Sequence, residues 1–461
     1  MATVRALHVL VFAWAIVSCA CGTNKVAQAS RDLAADITRA TSPQTGGPGP
    51  PTPVGQQRVY LDASVSMSGF VNPNKSSKFD ELINELGDAL PGCQLYKYGQ
   101  RGAGTPGGNP AENPPIAEPV SFGLELHRPG FYNLSFNPDD QLIQQLADEG
   151  SPALSVLITD GVYSEPRGAT SPPVVQAIQK WIEKGRPFGI LVFRSDFEGP
   201  FYTERGRALL PKISIKGRPF YAFVFSPTDR AFRELQEKLV RRFPEMRAIL
   251  FSDDAVTCVP NLNERLKGSY SHKRPPETPY YWQMFDSSIF DRTNPVPVTY
   301  SVTCEVAPGY PVSELAFDMS VEYYRWTQGQ LRKVEEGAPP GFRYDPPEFK
   351  GEAGAEAKEA EPQANPAGQP AKPAAQPLTV TVYLPKDVSS DYGFYSLRLN
   401  ASPKSYDPGI RELSTRDDRV EADMGRTFRF AEFISALTDV HFRARLVPKA
   451  SPAVFMTVNN H

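Results

Sequence analysis

Five cysteines and five histidines are all that the 461 residues contain, and no two cysteines stand in a C-x-x-C spacing. That scarcity excludes zinc ribbons and dithiol redox centres, and His127, His272, His441 and His461 show no ligand spacing. No G-x-S-x-G elbow is present to mark a serine hydrolase of that type. An excess of one charge is also missing: 49 basic residues face 52 acidic ones, for a formal net charge of -3. Without a basic field, nucleic acid is not an expected partner. Past the first residues, no apolar run is long enough to cross a bilayer as a helix.

Proline is abundant instead, at 46 residues, while 40% hydrophobic and 22% charged residues are ordinary globular values. The length implies two to three domains. Arg5 and the apolar run Leu7 to Val17 read as an export signal spanning residues 1–18. Its end, Ile16-Val17-Ser18-Cys19, resembles a bacterial lipobox, which implies cleavage before Cys19 and lipid attachment to its thiol. An ordinary secretory signal cut near Cys21 is the other reading. Either implies an oxidising compartment, in which Cys21, Cys93, Cys258 and Cys304 allow three pairings. Cys258 with Cys304 is the favoured one, because Cys21 lies in the tether and Cys93 opens a buried strand.

Residues 19–57 are polar, and dense in Pro, Gly and Thr from Ser42 to Pro53, as expected of a disordered tether. Residues 58–256 alternate short apolar strands with amphipathic helices, the pattern of a doubly wound, mostly parallel α/β sheet. Val59 to Leu61, Cys93 to Tyr98, Leu154 to Thr159, Phe188 to Arg194, Phe220 to Phe225 and Arg247 to Ser252 are the predicted strands. The clearest helix starts at Ser171-Pro172-Pro173, buries Val174, Ala177, Ile178, Trp181 and Ile182, and ends at Gly185. From residue 257 the period changes to two, as in Val298 to Val302 and Leu315 to Trp326, predicting an all-β, sandwich-like domain with a weak analogy to immunoglobulin folds. Its two parts, 257–350 and 378–461, flank an Ala/Pro/Glu linker at 351–377 expected to be disordered. The second part is predicted to carry a helix from Thr427 to about Thr438 and a last strand from Ala453 to Val458.

One segment carries chemistry. The apolar strand Val59 to Leu61 ends in Asp62-Ala63-Ser64-Val65-Ser66, a D-x-S-x-S pattern, and a turn past a strand end can swing Asp62, Ser64 and Ser66 together. Oxygen donors of this kind suit Mg²⁺ or Mn²⁺ and not zinc. Thr159-Asp160-Gly161 ends a second apolar strand about a hundred residues on. Together these resemble the metal-ion-dependent adhesion site of the von Willebrand factor A (vWA) domain. The resemblance implies Ser64 and Ser66 as direct ligands, Asp62 and Asp160 as the carboxylates, and a partner's carboxylate at an open position. In one respect the chain departs from that pattern: Ser135-Phe136-Asn137-Pro138-Asp139-Asp140 holds no threonine to act as the third hydroxyl ligand, so Ser135, Asn137 or Asp139 is left to supply that oxygen. The bland alternative is that Asp62 and Ser64 cap a turn and Asp160-Gly161 merely makes one.

Taken together, these features lead us to expect a lipid-anchored, non-enzymatic binding protein of the bacterial cell envelope, joined to the membrane by its N-terminal lipid, that grips a carboxylate on a protein partner through Mg²⁺ or Mn²⁺. Two competitors remain open. One is an envelope hydrolase using the metal or Ser64 and Ser66, and the other a degenerate vWA scaffold that binds without metal.

Overall fold

The structure is a computed structural model, and it describes residues 32, 56–71, 77–100, 116–135, 138–161, 173–203, 208–260, 281–286, 295–327, 330–334, 342–345, 348–349, 376–385, 392–446 and 453–458. The export signal, Cys19, nearly all of the tether, the linker core and Asn137 lie outside the described residues. Among the described residues, no helix is long and apolar enough to cross a membrane.

Strand β1 (Arg58–Asp62) leads through a 3-10 turn (Val65–Phe70) to helix α1 (Lys78–Ala89), then to β2 (Gln94–Gly99) and β3 (Ile116–Val120). Helix α1 starts where the sequence gives it a capping box: Ser77 accepts from the Asp80 amide, and Asp80 accepts from the Ser77 amide. Next come α2 (Asp139–Asp148), β4 (Ser155–Thr159), α3 (Pro173–Glu183), the long hairpin β5 (Phe188–Thr203) and β6 (Ala208–Phe225), α4 (Asp229–Arg242) and β7 (Arg247–Phe251). These seven strands form one sheet in the order β3-β2-β1-β4-β6-β5-β7.

The sheet is mixed, where the sequence pattern predicts a mostly parallel one. Only β1 pairs in parallel, with β2 and β4, while the β2-β3, β4-β6, β5-β6 and β5-β7 pairs are antiparallel. The predicted strand at Phe188 to Arg194 runs on to Thr203 and folds straight back as β6. Such a hairpin reverses polarity without the crossover helix that a parallel neighbour requires. Beyond Phe193 the side chains of β5 alternate, with Arg194 exposed, Ser195 buried, Asp196 exposed and Phe197 buried, so the strand continues with one face covered.

Among the described residues, nine further strands precede the next helix: β8 (Val256–Pro260), β9 (Tyr281–Asp286), β10 (Val296–Val306), β11 (Val312–Thr327), β12 (Gln330–Lys333), β13 (Arg343–Tyr344), β14 (Glu348–Phe349), β15 (Gln376–Leu384) and β16 (Tyr392–Tyr406). One sheet has the order β13-β15-β10-β8, and a second contains β12-β11-β16. They pack face to face through a shared core that includes Val298, Tyr300, Val380 and Val382 from the first and Met319, Tyr323, Tyr395 and Leu397 from the second. Cys258 and Cys304, directly opposite on β8 and β10, are disulfide-bonded with 4.1 Å between Cα atoms. Cys304→Ser is expected to lower stability by about 2–4 kcal/mol, since the bridge closes a long loop in the unfolded chain. Denaturant titration reads it as a lower midpoint, and an unchanged midpoint would mean the bridge contributes nothing.

The C-terminal stretch then returns to the first domain. Helix α5 (Pro408–Glu412) and the short strands β17 (Ser414–Thr415) and β18 (Thr427–Phe428), which pair in parallel, lead into α6 (Phe430–His441). The helix predicted from Thr427 thus starts three residues later, because Thr427–Phe428 is a strand and Arg429 adopts a left-handed φ of 53°. It lies against the α/β sheet: Phe430 stacks on Tyr221 at 4.7 Å and Phe433 on Phe223 at 6.0 Å between ring centroids. One face of the sheet is therefore covered by α1 and α4, the other by α2, α3 and α6. The last strand, β19 (Ala453–Val458), goes back to the sandwich, pairing antiparallel with β16 and parallel with β9.

Candidate functional site

The chain leaves β1 to make α1 and β2 on one side and reaches β4 on the other, so the carboxyl ends of β1 and β4 flank a point where the strand order reverses. Open α/β sheets bind ligands at such points. Asp62 ends β1, Thr159 ends β4, and Asp160 follows it directly. All three are buried. The Asp62 carboxylate accepts from the Ser64 amide at 2.8 Å and from the Thr159 hydroxyl at 3.1 Å, which ties the two strand ends together. Thr159 Oγ1 in turn accepts from the Gly161 amide at 3.3 Å. Gly161 has a φ of +70°, and a Cβ there would stand 2.8 Å from the Tyr221 ring, so glycine alone fits the turn.

Past Ala63 the chain enters the 3-10 turn, which brings Ser64 Oγ within 3.0 Å of Ser66 Oγ. Leu134 forms an isolated parallel bridge with Ser64, and its amide donates to the Ala63 carbonyl, so the second loop lies alongside the first. Ser135 is exposed in that loop, its amide bonded to the Gln100 carbonyl. Asp139 is buried in the first turn of α2, where with burial it raises the Tyr98 hydroxyl well above its ordinary range. The structure thus brings Asp62, Ser64, Ser66, Thr159 and Asp160 together, with Ser135 beside them and Asp139 nearer Tyr98.

Among the described residues no three His, Cys, Asp or Glu side chains are grouped as a metal site. No family model matches the chain, and no curated protein or solved structure is similar to it at a significant level.

The case for a cation therefore rests on hydroxyl and carboxylate oxygens. Neighbouring ligands of an octahedral Mg²⁺ with bonds of about 2.1 Å sit about 3.0 Å apart. The Ser64 and Ser66 hydroxyls have that spacing. Burial, with the charge of Asp160 second, pushes the Asp62 carboxyl up to about 7. A divalent cation is the kind of charge that would reverse that shift. The donor set fits a small, hard cation held by Ser64, Ser66 and Asp62.

Asp160 is engaged otherwise. Its carboxylate takes an ion pair from Arg218 at 3.3 Å, with both side chains almost wholly buried. The guanidinium lies over Phe197 and Phe201, each at 4.5 Å, and over Phe70 at 5.5 Å. Sequence reasoning missed Arg218 because the predicted strand began at Phe220, whereas β6 starts at Ala208 and carries a bulge before Arg218. Ser195 pairs with Arg218 and Phe197 with Ile215, so β6 carries one residue more than β5 around Gly217, whose φ is +62°. Arg218 lies on the buried face of Phe220, Ala222 and Val224, two residues before Phe220, and the extra residue puts it out of step with the Ile213 and Ile215 alternation that precedes it. The alternating Ile213-Ser214-Ile215 was a signal that the strand began well before Phe220. Thr427 was also missed: it accepts from the Tyr221 hydroxyl at 2.7 Å, and its methyl group lies next to Gly161.

Proposed function

We propose that this chain is a cell-envelope binding protein, tethered through lipid on Cys19, whose α/β domain is a vWA-like module that engages a carboxylate of a protein partner through Mg²⁺ or Mn²⁺. One observation carries the reading: Asp62, Ser64 and Ser66 converge with Thr159-Asp160 at the carboxyl ends of two adjacent parallel strands, linked by the Thr159–Asp62 hydrogen bond. Ser64, Ser66 and Asp62 would hold the cation, and the cation would supply a Lewis-acidic position for the partner's oxygen. The sandwich serves as spacer or second contact surface. A hydrolase would need a base against Ser64 or Ser66, and those hydroxyls bond to each other.

The second reading, a scaffold that binds without metal, is favoured by the Arg218–Asp160 ion pair, which already places a cation beside the site. Calorimetric titration of Mg²⁺ and Mn²⁺ into the EDTA-treated protein separates the two. The metal-dependent reading expects saturable binding that Asp62→Ala abolishes, with a matching rise in melting temperature for the wild type alone. Absence of binding at millimolar cation would leave the scaffold reading.

A further inference from the structure

We infer that Arg218 is a built-in counter-ion that competes with a divalent cation for Asp160 and so sets the cation affinity of the site. This rests on the metal-dependent reading above and adds a residue which that reading does not require.

The geometry is specific. Arg218 reaches Asp160 from β6, the antiparallel neighbour of β4, and the two side chains are 5% and 1% exposed. Three phenylalanine rings surround the guanidinium, and one of them, Phe70, belongs to the same 3-10 turn that begins at Val65, between Ser64 and Ser66. The Arg218 cage and the serine pair are thus two ends of one turn. Arginine suits this place and lysine does not, because a guanidinium stays charged at all accessible pH values, is weakly hydrated and stacks on aromatic faces.

The charge count gives the consequence. Asp62 and Asp160 would present two negative charges to a cation, and Arg218 cancels one of them. With a single net negative charge, the site attracts a divalent ion more weakly than a bare pair of carboxylates, and the ion also meets a fixed positive charge in a buried setting where screening is poor. Arg218 therefore keeps cation binding weak until another negative group arrives. The partner's carboxylate is such a group, so cation and partner are expected to bind cooperatively.

The experiment titrates Mg²⁺ by calorimetry into metal-stripped wild type, Arg218→Met, Arg218→Lys and the double variant Arg218→Met/Asp62→Ala, with melting curves in EDTA and in Mg²⁺ for each. Arg218→Met is expected to bind Mg²⁺ at least tenfold more tightly than wild type, Arg218→Lys to stay within a few-fold of it, and the double variant to lose the gain. Arg218→Met leaves two carboxylates buried without their counter-ion, so it is expected to melt low in EDTA and to recover in Mg²⁺ by more than wild type does. Should Arg218→Met prove unfolded in EDTA, recovery of a cooperative melt on adding Mg²⁺ supports the inference, and failure to recover overturns it. Equal affinities in wild type and Arg218→Met overturn this inference while leaving the metal-dependent reading intact. Absence of binding in both overturns the two together.

Discussion

Residues 56–256 expressed alone will fail to melt cooperatively, although they contain every strand of the seven-stranded sheet. The missing part is α6, supplied from Phe430–His441. Phe430, Phe433, Ile434, Leu437 and Val440 are buried in the same cluster as Trp181, Phe223 and Phe225. Burying an apolar side chain is worth about 1.5–3 kcal/mol, so these five contribute on the order of 10 kcal/mol. The net stability of a whole domain is of the same order, about 5–15 kcal/mol. Loss of the helix therefore removes as much as the domain has to spare. Phe433→Ala in the full chain tests the same point more gently, with an expected loss of about 3–5 kcal/mol in denaturant titration. A sharp, reversible melt of 56–256 alone would refute the argument and make α6 an accessory.

The second large effect is in pH. Burial first and Asp160 second raise the Asp62 carboxyl from its ordinary range to about 7 in the metal-free protein. Because the folded state holds this proton more tightly than the unfolded chain does, the contribution to stability is full below about 4 and is lost as pH rises to about 7. Cation binding at Asp62 has to displace the proton. Mg²⁺ affinity should therefore fall about tenfold per pH unit below 7, roughly a hundredfold between pH 7 and pH 5, and level off above pH 7. Calorimetry at pH 5, 6, 7 and 8 in two buffers of different ionisation enthalpy reads both the affinity and the proton released. A flat affinity with no proton release would exclude Asp62 as the group that couples to the cation.

The contrast between what was and was not legible in the sequence has a physical cause. Local pattern made α3 and β4 readable, because each is a short run whose own apolar pattern shows what it buries. D-x-S-x-S and T-D-G were readable because the chemistry sits within a few residues of a strand end. The hairpin was hidden because Phe197 and Phe201 are spaced by polar residues, and a strand that overhangs its sheet has only one covered face. Arg218 was hidden because the predicted strand began at Phe220, and the one-residue bulge breaks the alternation from Ile213 and Ile215 that would have extended it. The place of α6 was unreadable for another reason: its amphipathic face shows that it packs, and nothing local says against what. Its neighbours lie about two hundred residues away in the chain, as the Tyr221–Thr427 hydrogen bond shows.

The direction of β1 has one more consequence. The strand starts at Arg58, where the N-terminal segment joins the domain, and ends at Asp62. Five residues of extended chain, about 16 Å, separate the two edges of the sheet. The N-terminal segment joins at one end of the strand, while Asp62, Ser64 and Ser66 lie at the other. A pull between these two ends runs along β1, which has a parallel ladder to β2 on one side and to β4 on the other, so the ladders are sheared together instead of being peeled one bond at a time. On the proposed function, a tether would hold the module at one end of β1 and a partner at the other, so that tension would load the two ladders in shear.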